Sequence, residues 1–253
     1  MNAKDNRGET PFHLCIASDN TYIAKVLLAT KTIDLDIKNH SGETPFSQAI
    51  KENKTKMIRV LLPLTKLDVR DHLGRTMLHW AVEQNAPCAL AALLNRTPTS
   101  VQDINGDTPL TLTLKANNEE AVLMLHDTRH FDVDIVDNDV GIPLHNACLH
   151  PNQYLIETVL NTNININSPN NNAETPLHMA CKLNKDTAVQ MLRERHADIN
   201  VVDYNMRTPL ITAAYYNSTE AAPKLFQGST SNCDFFQFLD EDQMMTENDS
   251  IFN

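Results

Sequence analysis

The chain has 253 residues, a formal net charge of −11 and 42% apolar residues, which is enough to bury the core of one large domain or of two ordinary ones. The acidic balance argues against nucleic-acid binding, because phosphate recognition needs a clustered excess of Lys and Arg. No segment approaches the ~18 uninterrupted apolar residues of a membrane-spanning helix, and the N-terminus lacks the layout of a signal peptide. We therefore expect a soluble chain that is not exported.

The cysteine count and the distribution of charge add two expectations. Five cysteines without a paired spacing and without a secretory signal suit a reducing compartment, so we predict a cytoplasmic protein. Residues 1–227 hold 21 basic and 26 acidic side chains, whereas residues 228–253 hold six acidic and no basic ones. The C-terminal segment is therefore a different kind of sequence.

A four-residue motif recurs seven times along the chain, usually as Thr-Pro followed by an apolar residue and His. Its copies occupy residues 10–13, 44–47, 76–79, 108–111, 142–145, 175–178 and 208–211. The intervals between them are 34, 32, 32, 34, 33 and 33 residues. A fixed period near 33 indicates a stack of similar supersecondary units.

A turn precedes each motif and a helix follows it. An Asp or Asn, which favours turns, stands five residues before each copy, at Asp5, Asn39, Asp71, Asp103, Asp137, Asn170 and Asp203. Glycine stands two residues before the first four copies, where a tip can require positive φ. Val140, Ala173 and Met206 replace it in the last three, so we expect those tips to be distorted or rearranged, with Gly141 able to serve one position late.

The ends of the first helix and one row of the second are also predictable. Pro at the motif's second position suits the first turn of a helix, since its missing N–H has no intrahelical partner there. Nine residues after the motif begins, five copies carry an Asn suited to the left-handed conformation that ends a helix: Asn53, Asn85, Asn117, Asn184 and Asn217. Pro151 cannot adopt it. An aliphatic row marks the buried face of the second helix: Leu27, Leu61, Leu93, Leu125, Val159, Leu192 and Leu225.

With these motifs, residues 2 to about 226 resemble the ankyrin repeat family. The resemblance implies an all-α solenoid of helix pairs joined by hairpin-like finger loops, followed by a non-repeat C-terminal tail. The seven repeats would occupy about 2–38, 39–70, 71–102, 103–136, 137–169, 170–202 and 203–227. It also implies a protein-protein interaction module, an adaptor or scaffold without enzymatic activity, that binds a peptide or protein on its concave face. The alternative is the regulatory or targeting segment of a larger enzyme or channel.

The two ends of the array differ from its middle. Neither terminal unit shows the polar outer face of a capping repeat, which predicts that the chain is part of a longer array. Pro223 falls about one turn into the last helix, where we expect it to weaken that helix. Residues 228–253 begin with a linker-like Gly-Ser-Thr-Ser and continue into an acidic, aromatic segment. Two interpretations stay open for this tail: a natural extension, or a partner peptide fused by design.

Three groups of residues could suggest metal or catalytic chemistry. The motif histidines His13, His79, His145 and His178 would lie too far apart on successive repeats to share an ion, so we interpret them as bonding the finger backbone. Cys15, Cys148 and Cys181 suit small buried positions. The carboxylates Asp132, Asp134, Asp137 and Asp139 lack the glycine and terminal glutamate of a calcium loop. We predict no metal, no cofactor and no catalytic residue.

The resemblance implies that partners bind across the finger tips and the exposed end of each first helix. In the first four repeats these positions are mainly polar, as on an ordinary solvated surface. From the fifth repeat onward they become aromatic, aliphatic and cationic: Leu149, His150, Lys182, Leu183, Tyr204, Arg207, Tyr215 and Tyr216. Interface cores favour Tyr and Arg, so we predict the partner site there. The competing interpretation is that Tyr215 and Tyr216 merely cover the end of the array.

The tail supplies a candidate ligand for this surface. Phe235, Phe236, Phe238 and Leu239 would form an exposed apolar cluster unless they were covered. We predict that residues 232–253 dock on the last three repeats, in the same molecule or in a neighbour. No nucleic acid and no direct membrane insertion are expected.

Overall fold

A computed structural model describes residues 2–126, 133–150 and 152–226, and within these ranges the regular secondary structure is entirely helical. The helices are α1 (Pro11–Ala17), α2 (Thr21–Ala29), α3 (Pro45–Lys51), α4 (Thr55–Leu61), α5 (Met77–Glu83), α6 (Pro87–Leu93), α7 (Pro109–Lys115), α8 (Glu119–His126), α9 (Pro143–Ala147), α10 (Gln153–Leu160), α11 (Pro176–Lys182), α12 (Asp186–Glu194), α13 (Pro209–Tyr215) and α14 (Ala221–Lys224). None of these helices is long and apolar enough to cross a bilayer.

The chain divides into two compact units, residues 1–165 and 166–253. In the first unit, each odd-numbered helix packs against the even-numbered helix that follows it, and each helix also packs against its counterpart in the next pair. In the second unit, α11 packs on α12 and α13, while α14 packs on α12 and α13. Each unit thus has the predicted architecture of stacked helix pairs.

The first helix of most pairs begins where the motif predicts. Proline is its first residue in every pair except the third, in which α5 begins at Met77. The motif threonine caps the helix: Thr108 Oγ1 accepts from Thr111 N at 3.2 Å, and Thr111 Oγ1 accepts from Thr108 N at 2.7 Å. This reciprocal pair satisfies two N–H groups that a helix start would otherwise leave without partners.

The predicted helix stops are confirmed. Asn53, Asn85, Asn117, Asn184 and Asn217 have φ between 48° and 56°, in the left-handed region. Each follows a first helix and turns the chain toward the second helix of its pair. Pro151 lies outside the described residues, but α9 has five residues where the first helices of the other pairs have seven.

The finger turns are built around the predicted Asp or Asn. Asp5 Oδ1 accepts from the backbone N–H groups of Arg7 and Glu9, both at 2.8 Å, and the other fingers repeat this pattern. The glycines at the first four tips have φ between 74° and 78°. Val140 lacks this conformation, and its N–H instead donates to Asp137 Oδ1 at 2.7 Å while Gly141 takes the positive φ.

The expectation that Ala173 and Met206 would distort their tips is wrong. Both residues have a φ of 59°, so they adopt the left-handed backbone despite carrying a Cβ. Asn170 Oδ1 accepts from two backbone N–H groups of the same finger, at 2.9 Å each, and Asp203 does the same in the next. These hydrogen bonds hold the turn in the shape that glycine gives the earlier fingers.

The core follows the predicted aliphatic row. Leu61, Leu93, Leu125, Val159, Leu192 and Leu225 are fully buried, and Leu27 is half-buried. The last helix, α14, has only four residues, and Pro223 is its third; the expected weakness of this helix stays a prediction. Proline has no N–H and its ring crowds the preceding turn, so the helix begins late.

Candidate functional site

Six of the eight predicted partner-binding residues belong to the second unit, on α11, α13 and the finger between α12 and α13. Four of them are in mutual contact. The rings of Tyr215 and Tyr216 meet edge to face, with centroids 5.0 Å apart and planes at 77°. The guanidinium carbon of Arg207 lies 5.1 Å from the centroid of the Tyr215 ring, and Lys182 Nζ lies 5.6 Å from that of Tyr216. We call these four residues the tyrosine cluster.

Both cations of the tyrosine cluster are held by buried carboxylates. Lys182 Nζ lies 2.9 Å from Glu174 Oε1, and Arg207 Nη2 lies 2.8 Å from Asp203 Oδ2. Burial alone would raise the pKa of Glu174, but hydrogen bonds from Lys182 and Asn170 outweigh it and lower the pKa. The carboxylates are therefore ionised and fix the cations, and the cations in turn hold the tyrosine rings by cation–π attraction.

The tyrosine cluster offers more ring surface than free charge. Tyr215 is 70% exposed and Tyr216 41% exposed, while each cation already has a carboxylate partner. Tyr204, at the tip of the neighbouring finger, is 77% exposed, and Leu183 is 38% exposed. Large amphipathic rings that are fixed in place lose little conformational entropy on binding, which makes them effective contact residues.

The structure adds two exposed apolar residues that the sequence argument missed. Met206 at the finger tip is 73% exposed, and Ile211 on α13 is 49% exposed. Ile211 occupies the motif position that is fully buried as His13, His79, His145 and His178. The replacement of His by an apolar residue at this position was the available signal.

Leu149 and His150 belong to the first unit, where they follow α9. His150 Nε2 lies 3.0 Å from the carbonyl oxygen of Lys115 at the end of α7. Since a carbonyl can only accept, this ring nitrogen donates, and His150 joins two successive helix pairs. The ligand-tail residues Phe235, Phe236, Phe238 and Leu239 lie outside the described residues.

Most motif histidines serve as links between repeats, as interpreted from the sequence. Nε2 of His13, His79 and His178 donates to the carbonyl oxygens of Glu43, Asp107 and Arg207 in the following finger, at 3.0, 3.0 and 2.9 Å. In the same three residues Nδ1 lies 2.8 Å from the hydroxyl of the motif threonine. Both ring nitrogens are thus used within the scaffold.

The acidic cluster of the fifth finger has a lysine at its centre. Lys115 Nζ lies 2.7 Å from Asp107, 3.3 Å from Asp137 and 3.4 Å from Asp139. Asp137 is fully buried and also accepts from Asn146 Nδ2 at 2.8 Å. Asp132 lies outside the described residues. The Lys115 ammonium group therefore offsets the negative charges of Asp107, Asp137 and Asp139.

In four of the seven repeats, an ion pair joins the finger to its own helix. The residue before the motif pairs with the residue seven positions into it, at Glu43–Lys51, Arg75–Glu83, Asp107–Lys115 and Glu174–Lys182. The signs are reversed in the third repeat. In the seventh repeat the corresponding residues are Arg207 and Tyr215, so the ion pair is replaced by the cation–π contact of the tyrosine cluster.

Comparison with known families agrees with this geometry. Models of three successive ankyrin repeats match residues 31–100, 78–170 and 144–236, and the single ankyrin repeat model matches residues 7–40. The chain belongs to the ankyrin repeat family. Ankyrin repeats are generally protein-protein interaction modules and typically lack catalytic activity.

Solved structures support the same fold for this ankyrin repeat chain. It is similar to the ankyrin repeat domain of Bcl-3, a member of the IkappaB protein family, with a TM-score of 0.76, 24% identity, and coverage of 87% of this chain and 99% of that one. It is also similar to the ankyrin repeat protein EF0377, with a TM-score of 0.67, 20% identity, and coverage of 78% of this chain and 99% of that one. For an ankyrin repeat domain from Acinetobacter baumannii the TM-score is 0.66 and the identity 23%, with coverage of 72% of this chain and 96% of that one. No curated protein matches the sequence.

Proposed function

We propose that the chain is an adaptor or scaffold of the cytoplasm, and that its second unit binds a peptide of a protein partner through the tyrosine cluster. The observation that carries the proposal is the pair of cation–π contacts, in which Lys182 and Arg207 hold two exposed tyrosines in fixed positions. Tyr204 and Leu183 extend the same exposed surface. Rigid, exposed aromatic groups of this kind are what binding hot spots are made of.

The ligand that fits this surface carries aromatic or aliphatic side chains with acidic neighbours. Apolar groups would cover the tyrosine rings, while carboxylates would be attracted by cations of the same unit, Lys182, Arg207 or Lys224, and would orient the peptide more than tighten it. The chain's own residues 232–253 have this composition, with Phe235, Phe236, Phe238 and Leu239 ahead of three consecutive acidic residues. We propose that this segment is one ligand, in the same molecule or in a neighbour.

A labelled peptide of residues 232–253 tests the proposal. It is titrated into the full-length chain carrying the triple change Phe235→Ala, Phe236→Ala and Phe238→Ala, which removes the internal competitor. Saturable binding is expected, and Tyr215→Ala with Tyr216→Ala should weaken it at least about tenfold, since loss of a hot-spot tyrosine costs about 1–2 kcal/mol or more. The changes Tyr215→Phe and Tyr216→Phe keep the rings and should retain most of the affinity.

The matched control changes two tyrosines of the first unit, Tyr22→Ala and Tyr154→Ala, both of which are exposed. Their loss should leave binding unchanged. Equal weakening by the control and by the cluster variant would remove the tyrosine cluster as the site. Absence of any binding would remove the tail as its ligand.

A further inference from the structure

Adjacent fingers of the first unit are joined by a backbone hydrogen bond at nearly every step. His40 N donates to Arg7 O, Ile104 N to Leu73 O, and Asn138 N to Asn105 O, each at 3.0 Å. The corresponding donor in the third finger is His72, and among the described residues its N–H has no hydrogen-bond acceptor. The series of bonds between fingers is therefore interrupted between the second and the third.

A side-chain contact that is made at two of the four junctions between the first five fingers is also absent from this one. The side chain of Lys4, six residues before the first motif, donates to the carbonyl oxygen of Lys38, six residues before the second motif, at 2.8 Å, and Gln102 donates in the same way to that of Val136 at 2.9 Å. Lys38 makes no such bond to the carbonyl oxygen of Arg70, and Arg70 makes none to that of Gln102. Two independent contacts are thus missing from one junction.

The glycine tips show that the second finger stands apart from the third. A Cβ added to Gly8 would lie 2.6 Å from the ring of His40, and one added to Gly106 would lie 2.9 Å from Asn138, because the next finger presses against both. A Cβ added to Gly42 would have no atom within 4 Å. The space beside Gly42 opens into a cleft between the two fingers.

The lining of this cleft is cationic and partly apolar. Lys38, Arg70 and Arg75 contribute three positive charges against the single carboxylate of Asp71, in a chain whose net charge is −11. Asp71 is already engaged by Arg75 at 2.8 Å and by Trp80 Nε1 at 3.1 Å. Within the described part of the chain, no carboxylate lies within ion-pair distance of Lys38 or Arg70. Both side chains are exposed.

Trp80 forms one wall of the cleft in a fixed orientation. Its ring is half-buried, its Nε1 is bonded to Asp71, and the guanidinium carbon of Arg75 lies 4.8 Å from the ring centroid. Val69 adds apolar surface beside it. The cleft therefore offers two uncompensated cations next to an apolar wall.

We propose that the cleft between the second and third fingers is a second interaction site, which accepts a carboxylate side chain of an acidic, extended peptide from a protein partner. Lys38 and Arg70 supply the donors for that carboxylate, since charge-assisted hydrogen bonds are the strongest available in such a site. Val69 and Trp80 cover the apolar side chain beside it. The site is independent of the tyrosine cluster and of the tail.

Trp80 makes the proposal directly measurable because it is the only tryptophan in the chain. The probe is a blocked peptide of alternating glutamate and valine, titrated into the full-length chain at low ionic strength while Trp80 fluorescence is recorded. A saturable change is expected. The same peptide with glutamine in place of glutamate should bind roughly tenfold more weakly or not at all, because it lacks the charges that Lys38 and Arg70 recognise.

Two charge-reversal variants with the same net charge distinguish binding at the cleft from general electrostatic attraction of an acidic peptide. Lys38→Glu with Arg70→Glu should weaken the glutamate peptide roughly tenfold or more, whereas Lys25→Glu with Lys56→Glu, on exposed helix surfaces, should change the affinity less than about twofold. Both variants should keep the circular dichroism spectrum of the parent. Tyr215→Ala with Tyr216→Ala should have no effect here, which distinguishes this site from the tyrosine cluster. No saturable change, equal binding of both peptides, or equal weakening by both reversals would overturn the proposal.

Discussion

His79 Nε2 lies 3.0 Å from the carbonyl oxygen of Asp107, which stands at the base of the following finger. The other ring nitrogen faces Thr76 of its own repeat, with Nδ1 2.8 Å from Oγ1 and 3.2 Å from the backbone N. The His79 ring can accept from the N–H of Thr76 and donate to the carbonyl of Asp107 only while it is neutral. A proton on Nδ1 would face the N–H of Thr76 and end the first of these bonds. One side chain thus makes the link between these repeats dependent on pH.

Acidification should destabilise the fold in the range where histidine titrates. Burial lowers the pKa of His79 and of His178. A histidine in the unfolded chain titrates near 6.5, so as the pH falls below about 6.5 the unfolded state takes up protons first and stability is lost by up to about 1.4 kcal/mol per pH unit per histidine. Urea unfolding at several pH values between 7.5 and 5 measures this.

Threonine variants test the assignment, because threonine occupies the same position as Thr111. His79→Thr with His178→Thr should flatten the pH dependence between 7 and 5, whatever their effect at neutral pH. His72→Thr, which changes an exposed histidine of the third finger, should leave the slope as it is. An unchanged slope in the double variant would contradict the assignment.

Glycine should stabilise the two finger tips that lack it. Ala173 and Met206 adopt a φ of 59°, where a Cβ costs roughly 1–2 kcal/mol. Replacing them with glycine removes this cost, but the greater entropy of glycine in the unfolded chain offsets part of the stabilisation. Ala173→Gly and Met206→Gly are each expected to raise the free energy of unfolding by roughly 0.5–1 kcal/mol. Gly42→Ala, at a tip with a φ of 78° and open space around it, is the reverse control and should be destabilising. Destabilisation by both glycine variants would contradict the backbone argument.

Lys115 should be among the most sensitive charged residues. It is the cation of three carboxylates, and its side chain is only 23% exposed, so Lys115→Met leaves Asp107 and Asp137 buried without their counter-charge. A loss of about 3 kcal/mol is expected from removing one partner of a buried pair. Lys66→Met breaks the exposed pair with Asp36 and should change stability by less than about 0.5 kcal/mol. Chemical denaturation of the two variants under one condition gives the comparison, and equal losses would refute it.

Cysteine reactivity should follow burial. Desolvation raises the pKa of Cys181 to about 12, and the side chain is fully buried, so almost no thiolate is available at neutral pH. Cys88 is exposed. Iodoacetamide at pH 8 should therefore label Cys88 in the native protein and Cys181 only in urea, as read by peptide mass spectrometry. Native labelling of Cys181 at the rate of Cys88 would contradict its buried position.

The sequence predicted most of the fold because each feature depends on a local rule. Helix starts at Thr-Pro, helix stops at Asn and finger turns at Asp all follow from backbone chemistry within a few residues. Ala173 shows where such rules fail: its side chain disfavours positive φ, but the hydrogen bonds that backbone N–H groups of its finger donate to Asn170 Oδ1 decide its conformation. The backbone preference of one residue type does not include the hydrogen bonds that its neighbours make.

The candidate sites were less predictable than the fold. The positions of Tyr215 and Arg207 on one surface followed from the repeat register, but their cation–π contact depends on side-chain placement. The cleft beside Gly42 could not be seen in the sequence at all. It arises from bonds that are missing between His72 and the second finger, and the residues themselves are of the same kinds that form those bonds elsewhere.

The two families of polar contact in this chain differ in what they connect. The ion pairs between finger and helix, such as Arg75 with Glu83, close within one repeat, whereas the histidine and backbone bonds, such as His40 N to Arg7 O, cross to the next. Dissolved salt weakens exposed ion pairs, because it screens charges over a length of about 10 Å at 0.1 M, but it hardly affects buried hydrogen bonds. Rising ionic strength should therefore weaken a finger-to-helix pair with an exposed carboxylate, such as Arg75–Glu83, more than one with a buried carboxylate, such as Lys182–Glu174, while neighbouring repeats stay stacked.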